Sequence, residues 1–99
     1  MYEISFIFRP GDYDADFHRL DAEIDAIAKA TPGYLGSRTW QSEDGTVLNA
    51  VYRWEHLDNL KEFSRSSPHL QAKSEYQRWY QGYEVVVAKV ISRYGDDRL

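Results

Sequence analysis

Apolar and polar residues alternate along four stretches of the chain, and between these stretches apolar residues recur at helical spacing. Residues 2–9 alternate with a period of two, which predicts a strand with one strongly aromatic face. Residues 34–43 and 46–54 alternate in the same way, and the intervening Asp44-Gly45 pair is a strong hairpin signal. Residues 83–94 predict a fourth strand.

The first helix is predicted between the first strand and the hairpin. Asp14 is its expected N-cap, and Thr31-Pro32-Gly33 is expected to end it. Its apolar stripe consists of Phe17, Leu20, Ile24 and Ile27. The acidic residues Asp21, Glu23 and Asp25 are expected to lie mainly away from that stripe, on a solvated face.

The second helical region is predicted to be split. Leu57, Leu60 and Phe63 indicate a short helix, and Ser67 is the expected cap of a second part that has Pro68 at its first position. The inner stripe of this second part is expected to contain Ala72, Tyr76, Trp79 and Tyr80. Gly82 is expected to end it in a left-handed conformation.

This order of elements predicts an α+β fold, a ferredoxin-like βαββαβ sandwich with a split second helix. The length favours a single domain over residues 1–99, with a mobile polar tail at residues 95–99. A two-residue hairpin loop would pair Glu43 with Thr46 and Trp40 with Asn49. That register would place Arg38, Asn49 and Arg53 together on one face, whereas a three-residue loop with a bulge would shift the register and reverse the faces of one strand.

The two faces of the predicted sheet are both rich in apolar residues. The face expected beneath the helices contains Ile4, Phe6, Phe8, Leu48, Ala50, Tyr52, Trp54, Val86, Ala88 and Val90. The opposite face contains Ser5, Ile7, Trp40, Val47, Val51, Val85, Val87 and Ile91. A solvent-exposed sheet face should be more polar than this opposite face. The pattern therefore predicts that a second copy of the chain covers the opposite face in a homodimer.

Composition excludes several classes of function. The formal net charge of −4 and the scattered basic residues argue against nucleic acid as a partner. The absence of Cys excludes disulfides, thiolate metal sites and a Cys nucleophile. No apolar run is long enough to span a bilayer, and no signal pattern is present, so a soluble cytoplasmic protein without a membrane partner is expected.

The stretch around the split helix resembles the antibiotic biosynthesis monooxygenase family. The resemblance consists of a Trp that closes the third strand, a Leu-x-x-Leu-x-x-Phe helix, a Ser-x-Pro-His restart and a Trp-Tyr-x-x-Tyr end. These residues are Trp54, Leu57, Leu60, Phe63, Ser66, Pro68, His69, Trp79, Tyr80 and Tyr83. The resemblance implies a dimeric α+β barrel with a ligand cleft between helices and sheet. It also implies, for some members, oxidation of aromatic molecules by oxygen without metal or flavin.

The resemblance also bears on the type of chemistry. The haem-degrading branch has an Asn on the first strand, and a Trp and a His at positions that are Phe63 and Lys73 here. The Asn, the Trp and the His of that branch are all absent at these positions, so haem degradation is not expected. The Asn, Trp and Tyr used by the cofactor-free branch have approximate counterparts here in Asn49, Trp54 and either Tyr52 or Tyr76.

His69 is the candidate catalytic residue, because an ordinary imidazole titrates near pH 6.5 and could act as a base toward a phenol. The alternative is that it only packs locally in the first helical turn. The candidate substrate-binding residues are Tyr52, Trp54, Phe63, Tyr76 and Trp79, which could equally be core residues. No metal or cofactor is expected, since Glu55, His56 and His69 do not have the spacing of a ligand set.

The sequence therefore predicts a cofactor-independent monooxygenase-like protein that acts on a small aromatic or polyketide-type molecule. The alternative is a non-catalytic module of the same fold that binds a small ligand or dimerises. An isomerase of the same fold is a third possibility. A ligand-sized cavity beneath the split helix would favour the enzyme, whereas a space filled by Trp54, Phe63 and Trp79 would count against it.

Overall fold

The computed structural model describes residues 1–99 and contains four strands, three α-helices and one 3₁₀ turn. In chain order these are β1 (Tyr2–Pro10), α1 (Ala15–Ala30), β2 (Tyr34–Gln41), β3 (Leu48–Trp54), α2 (Leu57–Ser64), α3 (Ser67–Ser74), the turn Tyr76–Arg78 and β4 (Tyr80–Lys89). The strands form one antiparallel sheet in the order β2-β3-β1-β4. The predicted ferredoxin-like α+β fold is confirmed.

The hairpin between β2 and β3 has the predicted register but a longer loop. Trp40 pairs with Asn49 and Arg38 with Val51, as the alternation indicated. The loop, however, is closed by Ser42, whose backbone N donates to the Val47 carbonyl at 2.8 Å. The predicted pairing of Glu43 with Thr46 is therefore wrong, because the Asp44 carboxylate accepts bonds from Ser42 and Thr46 and builds a wider turn.

The inner face of the sheet, which we define as the face toward the helices, matches the prediction on β1 and β3 but not on β4. Ile4 pairs with Tyr52 and Phe6 with Ala50, so these side chains share that face. On β4, Phe6 pairs with Val85 and Ile4 with Val87. The inner residues of β4 are thus Val85 and Val87, and the prediction of Val86, Ala88 and Val90 is wrong.

Helix α1 begins as predicted. Asp14 is its N-cap and accepts a hydrogen bond from the Phe17 backbone N at 2.9 Å. Leu20 and Ala28 of α1 are buried.

The second half of the split helix differs from the prediction. Its N-cap is Ser66 rather than Ser67, and α3 ends at Ser74. Tyr76, Trp79 and Tyr80 therefore lie beyond α3 and not on its inner stripe. Gly82 is not a helix end but a β4 residue that pairs with Arg9. The reason is that β1 pairs with the chain from Tyr80 onward, and these ladder bonds replace the last helical turns.

The helices cover only part of the inner face. A buried cluster of Ile4, Ala28, Trp54 and Phe63 lies where α1 and α2 pack on β1 and β3. Toward β4 the inner face is open, since Val85 and Val87 are each 51% exposed. The fold therefore leaves an accessible apolar surface on the inner face beside β4.

Candidate functional site

An aromatic cluster lies at the open side of the inner face. We define it as Phe6, Phe8, Tyr13, Phe17 and Tyr80. The Tyr80 ring is at its centre, with ring-centroid distances of 5.3 Å to Phe6 and 5.1 Å to Phe8. From the helix side, Tyr13 stacks on Phe17 at 3.9 Å, and both rings meet Tyr80 edge-on at 6.1 Å. This cluster provides flat apolar faces of the kind that bind aromatic molecules.

The hydroxyl groups of two tyrosines, Tyr52 and Tyr80, lie on this side of the sheet. Tyr80 belongs to the cluster, and Tyr52 is the neighbouring inner-face residue of β3, partly packed on the buried cluster. Among the tyrosines, only the hydroxyl of Tyr76 takes part in a side-chain hydrogen bond, accepting from Gln77 at 3.4 Å. The hydroxyls of Tyr52 and Tyr80 are therefore free to bond a ligand.

The surroundings keep both of these tyrosines protonated. Burial, followed by the negative charge of Asp21, raises the pKa of Tyr52 to about 12. Burial also raises the pKa of Tyr80, with further contributions from Tyr13 and Asp21. Both side chains are consequently neutral hydrogen-bond donors over the physiological pH range.

Three of the predicted site residues are buried. Trp54 and Phe63 lie beneath α2, and Trp79 lies against Phe17 of the aromatic cluster. Trp54 is 1% exposed and its ring lies 5.3 Å from that of Phe63, which is itself buried. These two side chains fill the space beneath α2. Trp79 is also 1% exposed, packs on Phe17 at 5.7 Å, and donates its indole N–H to Asp14 at 3.0 Å.

The remaining predicted residues lie at two separate places. Tyr76 packs edge-on against Tyr83, with centroids 4.9 Å apart, at the rim of the open surface. His69 packs edge-on against Phe63 at 5.2 Å, and its Nδ1 is buried without a hydrogen-bond partner. Burial and the nearby Lys73 charge lower the pKa of His69, while the Ser64 backbone acts in the opposite direction. His69 is therefore neutral near physiological pH.

The structure brings Tyr13, Phe17, Asp21 and Tyr80 to this surface, and none of the four is among the site residues that the sequence predicts. The spacing contains a signal for Asp21: it is four residues after Phe17 and three before Ile24, which puts it on the flank of the inner stripe. No comparable signal marks Tyr80, because its place depends on where β4 begins.

The opposite, outer face of the sheet has a shallow cavity of about 220 Å³, lined by Leu35, Gly36, Ser37, Arg38, Trp40, Val51 and Arg53. Trp40 is 58% exposed there, and Arg53 donates to Glu3 at 2.9 Å. The side-chain oxygen of Asn49 is buried beside it without a partner. Thus Asn49 is on the face away from Tyr52 and Trp54, and the three do not form one site within the chain.

No three His, Asp or Glu side chains converge closely enough to hold a metal ion. None of the helices combines the length and the apolar character needed to cross a lipid bilayer.

Solved structures with the same architecture cover nearly the whole chain. Rv0793 from Mycobacterium tuberculosis has 19% sequence identity and a TM-score of 0.70, over 95% of this chain and 98% of its own. SnoaB, a cofactor-independent oxygenase from Streptomyces nogalater, has 12% identity and a TM-score of 0.74, over 96% and 97%. The chain has the antibiotic biosynthesis monooxygenase fold.

A candidate antibiotic biosynthesis monooxygenase from Caulobacter crescentus has the same fold, with 16% identity and a TM-score of 0.72 over 92% of this chain and 90% of its own. No sequence profile of a protein family matches this chain, and comparison with curated proteins gives no match. At these identities the likeness establishes the fold alone.

Proposed function

We propose that this protein is a cofactor-independent monooxygenase that oxidises a small hydroxylated aromatic molecule. The observation that carries this proposal is the partly exposed aromatic cluster around Tyr80, with two protonated tyrosine hydroxyls that have no hydrogen-bond partner. The fold shared with SnoaB, described as a cofactor-independent oxygenase, supports it.

In this reaction the ligand rests on the aromatic cluster and loses the proton of a hydroxyl group that is conjugated with the ring carbon to be oxidised. The resulting anion is electron-rich, and the neutral hydroxyls of Tyr52 and Tyr80 would stabilise its negative oxygen. The substrate supplies all the electrons: one atom of O₂ replaces two hydrogens on a ring carbon as a carbonyl, and the other leaves as water. No external reductant is consumed.

We assign the proton-accepting role to His69. Its lowered pKa keeps the imidazole neutral and able to accept a proton. Because His69 packs against Phe63 outside the aromatic cluster and its Nδ1 is buried, this role requires the ligand's hydroxyl group to extend from the cluster toward the split helix. Tyr52 and Tyr76 would contact the ligand, while the buried Trp54, Phe63 and Trp79 support those walls from behind.

The test is oxygen uptake with an anthrone, whose enol tautomer has a hydroxyl group conjugated with the oxidisable ring carbon. We expect consumption of one O₂ per anthrone and formation of the quinone, faster than spontaneous oxidation in buffer. His69→Ala should slow the reaction about 100-fold or more, the usual contribution of a general base. The matched control is His56→Ala, an exposed histidine that should leave the rate unchanged.

A second candidate is a binding module without catalysis. The observation that favours it is the filling of the space beneath α2 by Trp54 and Phe63, which leaves an open surface rather than an enclosed cavity. An anthrone that binds but is oxidised no faster than in buffer would support the module and contradict the monooxygenase.

We further propose that the chain forms a homodimer through the outer face of the sheet. That face exposes Trp40 and Val86 and contains the unpaired oxygen of Asn49, which a partner chain could satisfy.

A further inference from the structure

Helix α1 has four acidic residues, and three of them are neutralised by nearby bases. Asp16 lies near Arg19 and Arg78, Glu23 pairs with Arg19 at 3.4 Å, and Asp25 pairs with Lys29 at 2.8 Å. Asp21 takes part in no ion pair and no side-chain hydrogen bond. It is therefore the acceptor on this helix that remains available to a ligand.

Asp21 also differs from its neighbours in what it faces. Its spacing from Phe17 and Ile24 puts it on the flank of α1 that borders the sheet, whereas Glu23 is on the opposite flank. After burial, the charge of Asp21 contributes to raising the pKa of Tyr13, Tyr52 and Tyr80, which come from the loop before α1, from β3 and from β4. Asp21 itself is exposed to solvent. The fold thus places one free carboxylate beside the aromatic cluster.

We propose that Asp21 determines ligand specificity by accepting a hydrogen bond from the hydroxyl of an aromatic molecule bound on the aromatic cluster. The aromatic rings would contact the flat apolar part of the ligand. The ionised carboxylate can only accept a hydrogen bond, so a ligand with a hydroxyl group is favoured over one with an ether oxygen. This inference rests on the proposed function for the location of the ligand, and not on the oxygen chemistry.

The electrostatics of the site agree with this role. Burial, followed by the charge of Asp25, raises the pKa of Asp21, while His18 acts in the opposite direction. A carboxylate that is partly desolvated gains more from a hydrogen-bond donor than a fully hydrated one. Tyr13, Tyr52 and Tyr80 stay neutral as the pH falls, and Asp25 and His18 are the other ionisable groups whose charge acts on Asp21. The preference for a hydroxyl should weaken as Asp21 becomes protonated.

The test compares the binding of 2-naphthol and 2-methoxynaphthalene by calorimetry without oxygen. We expect wild-type protein to bind 2-naphthol about tenfold or more tightly than its methyl ether, as a charged hydrogen bond provides. Asp21→Ala should bring the two affinities within about twofold of each other, since the remaining contacts are common to both probes. Glu23→Ala, which removes the same charge from the opposite flank of α1, should keep the wild-type preference. If Asp21→Ala does not fold, Asp21→Asn should show a reduced preference, because its neutral oxygen is a weaker acceptor.

Equal binding of the two probes by the wild type, or binding of neither, would overturn the proposal. So would an Asp21→Ala variant that folds and keeps the wild-type preference. Loss of the preference in Asp21→Ala without oxygen uptake by the wild type would support the specificity role and reject the monooxygenase. The two proposals can therefore fail separately.

Discussion

At Gly33 the backbone has a φ of +87°, and the side chain of Asn59 occupies the space in which a Cβ would lie. The carbonyl of Gly33 accepts a hydrogen bond from the Glu55 backbone N at 2.7 Å. This single residue joins the start of β2 to the entry of α2, and both its backbone conformation and its surroundings require glycine.

We predict that Gly33→Ala destabilises the protein by about 2 kcal/mol or more, through left-handed strain plus the collision with Asn59. Urea unfolding followed by tryptophan fluorescence measures this. The control is Gly82→Ala, where an added Cβ meets open space and the backbone is not left-handed, so stability should change by less than about 1 kcal/mol. Similar losses in both variants would contradict the explanation.

At the scale of elements, α2 is attached to the sheet mainly through one ring. Phe63 is 8% exposed and packs between Trp54 and His69. The neighbouring helix α3 has no buried residue of its own. The position of α2 on the sheet therefore depends mainly on the contacts of Phe63, with Leu60 packed beside it.

Phe63→Ala should lower the free energy of unfolding by about 3–5 kcal/mol, the usual cost of removing a buried phenyl ring. Leu70→Ala on α3 is the comparison, since Leu70 is 51% exposed. It should cost less than about 1 kcal/mol. Thermal and urea unfolding of the two variants decide between this view and one in which α3 carries the packing.

The alternation of apolar and polar residues predicts the pairing of β2 with β3 but not the faces of β4. The register of β2 and β3 was predicted correctly, because Asp44-Gly45 marks the turn and the alternation of both strands is clear. The faces of β4 were predicted wrongly, because Val85, Val86 and Val87 are all apolar and have no alternation. A continuous apolar run does not indicate which side points inward.

For the whole molecule, the sheet has an inner face that is half covered and an outer face without cover. Trp40 is 58% exposed and Val86 is 41% exposed on that outer face. Only seven of the 99 side chains are buried, so the isolated chain has a small core. Association through the outer face would remove this apolar surface from water.

Sedimentation should therefore give the mass of a homodimer at micromolar concentration. Trp40→Glu should shift the protein to monomer, because a charge would be buried at the interface. Leu70→Glu adds the same charge at an exposed helical position and should leave the dimer intact. A wild-type protein that is monomeric at this concentration would refute the dimer.

The sequence by itself determined the order of strands and helices, the Asp14 cap, the hairpin register and the inner residues of β1 and β3. These features depend on local periodicity, on the residues at turns and on strands that bury one face. Each of these can be recognised from the order of neighbouring residues in the sequence. Only the tertiary structure decided which side of β4 faces inward, where Tyr80 lies, and which aromatic rings lie beside the flank of α1 that carries Asp21. Those features depend on long-range strand pairing and on how closely α1 packs on the sheet, and neither is encoded in the spacing of neighbouring residues.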